Sequence, residues 1–207
     1  MNIIQYPLNK KQWIATKVKK THIVWHTTLD RTQYTPVAGK PGRSTSVIDN
    51  WNNSADKHAL CYVIDRNGEV YQTYPDDEWS YHTILPHHFD KVSIPVALAN
   101  EGPLIIQNFR YYAFQRAHHT TEYFGPVIKK NWNGFQYWAD YSDVQVKTLI
   151  ALTKQLCGKH KIDYNPNLDS TTWNPKVSET NTVFAHSAVK QYVNDMLITE
   201  KWNNECT

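Results

Sequence analysis

The stretch Val92 to Asn100, VSIPVALAN, is apolar over the length of a strand, with no alternation of polar and apolar residues. A strand with one face in water alternates, so a continuous run implies a strand covered on both faces. Such a strand belongs inside a layered structure with other elements packed above and below its sheet. A second apolar run, Thr21 to Thr27, carries β-branched Ile23 and Val24 and stops at His26, so it reads as another core strand. With 207 residues and 41% hydrophobic content, one domain can bury the core that this sheet requires.

The remaining chain supplies the layers. Residues 1 to 20 form a polar lead-in, and Asp30 to Thr45, with Pro36, Gly39, Pro41 and Gly42, forms a loop. Ser46 caps a short helix bearing Val47, Ile48 and Trp51. ALCYVIDRNGEVYQTY is a hairpin in which Asn67-Gly68 supplies the positive φ of a tight turn. Between Leu104 and Tyr141 aromatic residues crowd without a clean period, so residues 103–141 read as an insertion with partial strand or turn structure. Ser142 and Gln145 form a capping box for a helix to His160, whose stripe is Val146, Leu149, Ile150, Leu152, Leu156 and Cys157. A Pro- and Asn-rich loop precedes a last strand at Thr182 to Val189. The fold class expected is α/β: a single domain over residues 1–207, with a central mixed β-sheet flanked by helices and a ligand site at the strand ends.

Composition excludes several function classes. A net charge of +3, spread along the chain apart from a modest cluster at Lys10 to Lys20, is too weak for nucleic-acid binding, though it suits an anionic polymer. Cys61, Cys157 and Cys206 are far apart and lack CxxC spacing, so they read as reduced thiols. The amino-terminal segment is too polar for a secretory signal, and no stretch is long enough to span a membrane. Cytoplasmic synthesis as a monomer is the expectation, with any extracellular target reached by another route.

Of ten histidines, most have structural explanations. The pairs His87-His88 and His118-His119 read as loop residues, because adjacent side chains on an extended chain diverge. His160 complements a helix dipole. His22 and His58 open strands and read as rim residues. His26 and His186 differ, since each terminates an apolar run followed by small hydroxyl residues. Two imidazoles delivered by core strands can converge on one zinc ion, and Asp195, nine residues past His186, is a reasonable third donor. The alternatives at this point are half-buried histidines bonded to backbone carbonyls and, for Asp195, an ordinary helix cap or surface carboxylate.

Six blocks in order resemble the zinc-dependent N-acetylmuramoyl-L-alanine amidases, a family that includes amidase-type phage lysozymes and is related to peptidoglycan recognition proteins. IVWHTT is similar to the family's first strand, with His26 in the first ligand slot. SVIDNWNNSADKHALCYVIDRNGEVYQ resembles its helix and hairpin, and EWSYHT its tryptophan-histidine segment, which places His82 near the metal rim. SIPVALANEGPL is similar to the middle strand and Asn-x-Gly turn, and YSDVQVKTLIALTKQLCGKHKI to the long helix. VFAHSAVKQYVNDM resembles the ligand strand carrying His186 and Asp195.

The resemblance implies a peptidoglycan-recognition-protein-like fold and zinc-dependent hydrolysis of the amide between N-acetylmuramic acid and L-alanine. The substrate is then peptidoglycan or a muropeptide, and the role that of a phage endolysin acting on the wall after release or holin-type export. Three family helpers depart: Ala97 holds the slot of a glutamate, Leu60 that of a tyrosine, and Val193 that of a lysine or threonine. His82 is the first substitute expected as a catalytic group, then Glu101, with Glu78 and Tyr81 nearby. Trp79, Tyr81, Asn100, Tyr111 and Trp132 are expected against the substrate. The missing helpers also leave open a module that binds peptidoglycan without cutting it.

Overall fold

The first sheet of the computed structural model, which describes residues 1–40, 42–55, 58–83, 86–114, 121–164 and 182–185, has six strands. In spatial order they are β1 (Ile3–Gln5), β4 (Val70–Gln72), β3 (Tyr62–Ile64), β5 (Ser93–Leu98), β2 (His22–Thr27) and β11 (Val183–Ala185). Only β3 and β4 pair antiparallel; β1–β4, β3–β5, β5–β2 and β2–β11 are parallel, so the sheet is mixed as expected. Every residue of β2 and β5 is buried, which is what their unbroken apolar runs require.

Alternation along these two strands divides the sheet into two faces. Ile23 and Trp25 of β2, with Ile94, Val96 and Leu98 of β5, join the main core with Val146, Leu149, Ile150, Leu152, Leu156 and Cys157 of α3 (Asp143–His160). Trp25 Nε1 donates to Thr153 Oγ1 of that helix at 3.2 Å. The intervening residues, His22 and His26 on β2 and Ser93 and Ala97 on β5, therefore point to the opposite face, where α2 (His87–Val92) lies against β5 through Phe89 and Asp90. His22 is buried there, its ring 4.9 Å from that of Phe89, rather than at a rim.

The helix expected after Ser142 forms, and Ser142 Oγ accepts from Gln145 N at 3.2 Å. The other half of the capping box does not close, because Gln145 Nε2 reaches Ile64 O and Ala99 O at 3.0 Å each and ties the helix start to two strand ends. α1 (Ser46–Asn53) buries Val47 and Ile48. The hairpin of β3 and β4 turns through Gly68 at φ 84°, with Gly68 N donating to Asp65 O at 2.9 Å.

Three expectations change. The lead-in is structural: β1 extends the sheet, Leu8 enters the core, and Ile14 bridges to Trp79. It is unreadable in sequence because three-residue strands carry no period and because Lys20 is buried with its ammonium donating to Lys91 O and Ser93 O. His87 and His88 open α2 instead of a loop. The aromatic insertion forms a second, antiparallel sheet in the order β8 (Glu122–Tyr123), β7 (Arg110–Ala113), β6 (Pro103–Gln107), β10 (Phe135–Ala139) and β9 (Val127–Trp132). A register shift between Phe135 and Tyr137 interrupts the two-residue period that would have revealed it. His118 and His119 lie outside the described residues.

Candidate metal centre

His26 sits one residue before the carboxyl end of β2, on the face away from α3. Its register partner in β5 is Ala97. His82, which follows the Trp79-Ser80-Tyr81 segment, spans this face: Nδ1 lies 3.2 Å from His26 Nε2, and Nε2 lies 2.8 Å from Ser93 Oγ. Both rings are buried and nearly perpendicular, with centroids 5.3 Å apart.

The segment carrying His82 is fixed by Asp90 of α2. This carboxylate is 0% exposed, and its Oδ1 accepts from His82 N (3.3 Å), Thr83 N (2.9 Å) and Thr83 Oγ1 (2.8 Å) while lying 3.8 Å from His82 Nε2. Ser93 Oγ donates to Phe89 O at 2.8 Å. Ser93 and Asp90 escape a reading of the sequence, the serine because it merely opens an apolar run and the aspartate because its segment reads as a loop. The serine's place, two alternations before Ala97 on the His26 face, was the available signal.

The other residues expected at the site divide. Trp79 is buried, its N–H and carbonyl taken by Ile14 and its ring 5.2 Å from Lys91 Nζ. Half-buried Tyr81 packs against Trp79 (5.4 Å) and His87 (4.7 Å), so these rings form an aromatic wall beside His82. Tyr111 and Trp132 stand in the second sheet, each half-buried and paired with Tyr137 (5.2 Å) and Trp138 (4.9 Å). Glu78 is engaged with Trp13 Nε1 at 2.5 Å. His186 and Asp195 lie outside the described residues, and among the described residues no three potential metal donors gather.

Asn100 and Glu101 tie separate segments of the chain together. Asn100 is fully buried, its amide donating to Ala139 O and Asp140 O and accepting from Gly102 N. Glu101 is paired with Arg66 at 2.5 Å, both side chains sealed from solvent, and takes further hydrogen bonds from Thr32 and Thr35. Among these contacts Oε1 takes three hydrogen bonds and Oε2 one, inside a joint sealed from solvent.

The comparisons with known proteins agree with the geometry. A family model described as N-acetylmuramoyl-L-alanine amidase matches residues 16–202. The chain belongs to this amidase family. As an N-acetylmuramoyl-L-alanine amidase it hydrolyses the amide joining N-acetylmuramic acid to L-alanine in peptidoglycan. No curated protein sequence matches the amidase. Solved structures share its fold at low identity. LysC, an N-acetylmuramoyl-L-alanine amidase from Clostridium intestinale URNW, aligns with a TM-score of 0.52 and 12% identity over 100% of this amidase and 97% of that chain. A mutant endolysin from Bacillus subtilis aligns with a TM-score of 0.55 and 15% identity over 98% and 95% of the two chains. PlyL aligns with a TM-score of 0.57 and 10% identity over 99% and 94%. Among the described residues, no helix of the amidase is long and apolar enough to cross a membrane.

Proposed function

We propose that the amidase reaction uses a zinc ion held by His26, His186 and Asp195, in an endolysin that reaches the wall after release or holin-type export. The observation that carries the zinc reading is the buried imidazole of His26 at the carboxyl end of β2, on the face of the sheet away from α3. Neutral imidazoles with constrained rings are a donor set that zinc favours. The strand order adds support: β11, which ends at Ala185 directly before His186 in sequence, pairs in parallel with β2. The endolysin role draws support from the fold shared with the Bacillus subtilis endolysin.

When bound, the ion supplies Lewis acidity, bringing the pKa of water to about 7 and polarising a carbonyl oxygen. The chain's own residues do the rest. Ala97, in register with His26, offers no carboxylate at that point of the sheet, and His82 is the polar side chain that faces His26 instead. Half-buried Tyr81, set edge-on between His87 and buried Trp79, offers the substrate an aromatic ring with a polar tip, suited to a sugar or stem peptide.

Purified protein should hold about one equivalent of zinc, clear isolated sacculi, and lose that activity to a chelator. Mass spectrometry of the digest should show free stem peptides and intact glycan chains. If His186→Ala cleared sacculi at the parent rate, the zinc reading would fall.

A further inference from the structure

We infer that Arg31, Lys40 and Arg43 form a binding site for a phosphate group, built from the loop between β2 and α1. The site stands whether or not the zinc reading does. Its phosphate has two possible sources, a phosphodiester polymer of the wall or a small phosphorylated molecule.

The three cations line one open cavity of about 380 Å³ together with Gly42, Ser46 and Asp49. Elsewhere on the surface, cations are answered by acids: Lys17 by Asp77, Arg110 by Glu122 and Lys159 by Asp76. Among the described residues, no carboxylate forms an ion pair with Arg31, Lys40 or Arg43. Asp49, the acid of the lining, accepts from Tyr6 Oη at 2.9 Å. Three positive charges against one negative leave the lining at +2. Like charges gathered round one cavity repel one another, and a bound anion turns that repulsion into attraction.

The loop is built to hold these side chains in place. Arg31 Nε and Nη2 both donate to Thr35 O, at 3.0 and 2.9 Å, and Thr35 is tied in turn to buried Glu101. Lys40 is returned by a tight turn through Ala38 and Gly39, at φ 50° and 73°, closed by paired backbone hydrogen bonds between Val37 and Lys40 at 2.9 and 3.0 Å. Gly42 then lets the returning chain lie against the outgoing one, since a Cβ there would stand 2.5 Å from Thr32 O. Ser46 Oγ donates to Arg43 O, which leaves the cations as the donors that face the cavity. Donors fixed before the ligand arrives lower the cost of binding it.

The donor set selects phosphate over carboxylate. One guanidinium fork suffices for the two coplanar oxygens of a carboxylate, whereas a tetrahedral phosphate offers oxygens to all three cations at once.

Titration of the whole protein with inorganic phosphate at pH 7 and low ionic strength, followed by calorimetry and by phosphorus-31 line broadening, tests the site. Saturable binding of one phosphate per chain is expected. Arg43→Gln and Lys40→Gln, checked for folding by circular dichroism, should each weaken it roughly tenfold or more, as loss of one charge-assisted contact does. Lys129→Gln removes the same charge from an exposed position on β9 and should leave the affinity unchanged. Absence of saturable binding, or equal weakening by all three substitutions, would overturn the site, and equal competition by acetate would overturn its assignment to phosphate. A glycerol-phosphate oligomer supplies the second arm. If it binds more tightly than inorganic phosphate, and Arg43→Gln removes the gain, the source is the polymer; if it binds more weakly, the source is a small phosphorylated molecule.

Discussion

Lys20 is the residue whose environment departs furthest from its chemistry. It is 1% exposed, and its ammonium donates to Lys91 O at 2.7 Å and Ser93 O at 3.1 Å. Burial pulls its pKa down from 10.5 to about 8, against the opposing pull of Cys61, Asp76 and Asp77. Between those two values the folded protein binds fewer protons than the unfolded chain, so stability rises with pH across that window. Below it, both states keep the proton and the cost of burying the charge is fully present, on the order of 3 kcal/mol. Comparing the protein with Lys20→Met cancels the other titrating groups. The parent should gain stability relative to the variant between pH 8 and 10.5 in urea denaturation, and a difference that stayed flat would refute this account. Residue-scale features of this kind were only partly legible. His26 could be singled out because it ends an apolar run, and the structure brings His82 to it. Asn100 and Glu101 show the limit, because a polar residue at the end of a core strand looks alike whether it faces a substrate or a joint, and most partners of these two lie 35 to 72 positions away in sequence.

The two hairpins of the second sheet show what elements disclose and conceal. Both have two-residue turns with positive φ at each position, the requirement of type I′ geometry. Between β9 and β10 the turn is Asn133-Gly134, the sequence such a turn prefers, and it could have announced the hairpin. It was obscured by flanking aromatics, which fill both faces and remove the alternation that identifies strands. Between β6 and β7 the turn is Asn108-Phe109, with Phe109 at φ 60° and 99% exposed. A side chain in this conformation is strained, and this one has no packing to compensate. Phe109→Gly should therefore stabilise the protein by roughly 0.5–1 kcal/mol, after allowance for the greater freedom of glycine in the unfolded chain. Thermal denaturation of the variant tests this, and a lower midpoint would show that the phenylalanine has a task in the folded state. The elements with strong patterns, β2, β5 and α3, were legible because one physical demand dominates each: complete burial for the strands and an apolar stripe for the helix. The lead-in and the second sheet were not, since β1 and β8 are too short to carry a period.

At the scale of the molecule, one buried ion pair joins parts that are remote in sequence. Arg66 comes from the turn after β3, Glu101 from the end of β5, and Asp140, whose carbonyl accepts from Arg66, from the end of β10. Thr32 and Thr35, in the loop after β2, donate to the same glutamate, and the ring of Tyr34 lies 5.3 Å from the guanidinium. The carboxyl ends of the central strands and the start of the second sheet are thereby held as one body. Arg66→Ala would leave a carboxylate buried without its counter-ion, at a cost of about 3–5 kcal/mol. Arg66→Met combined with Glu101→Gln removes both charges, keeps an acceptor for Thr32 and should recover most of that loss in urea denaturation. The same double variant decides what Glu101 does. If its task is to hold the joint, the folded double variant clears sacculi at a rate close to the parent's, because no proton of the reaction passes through position 101. A folded, zinc-loaded double variant that failed to clear them would return Glu101 to the catalytic machinery and require the loop after β2 to open during turnover.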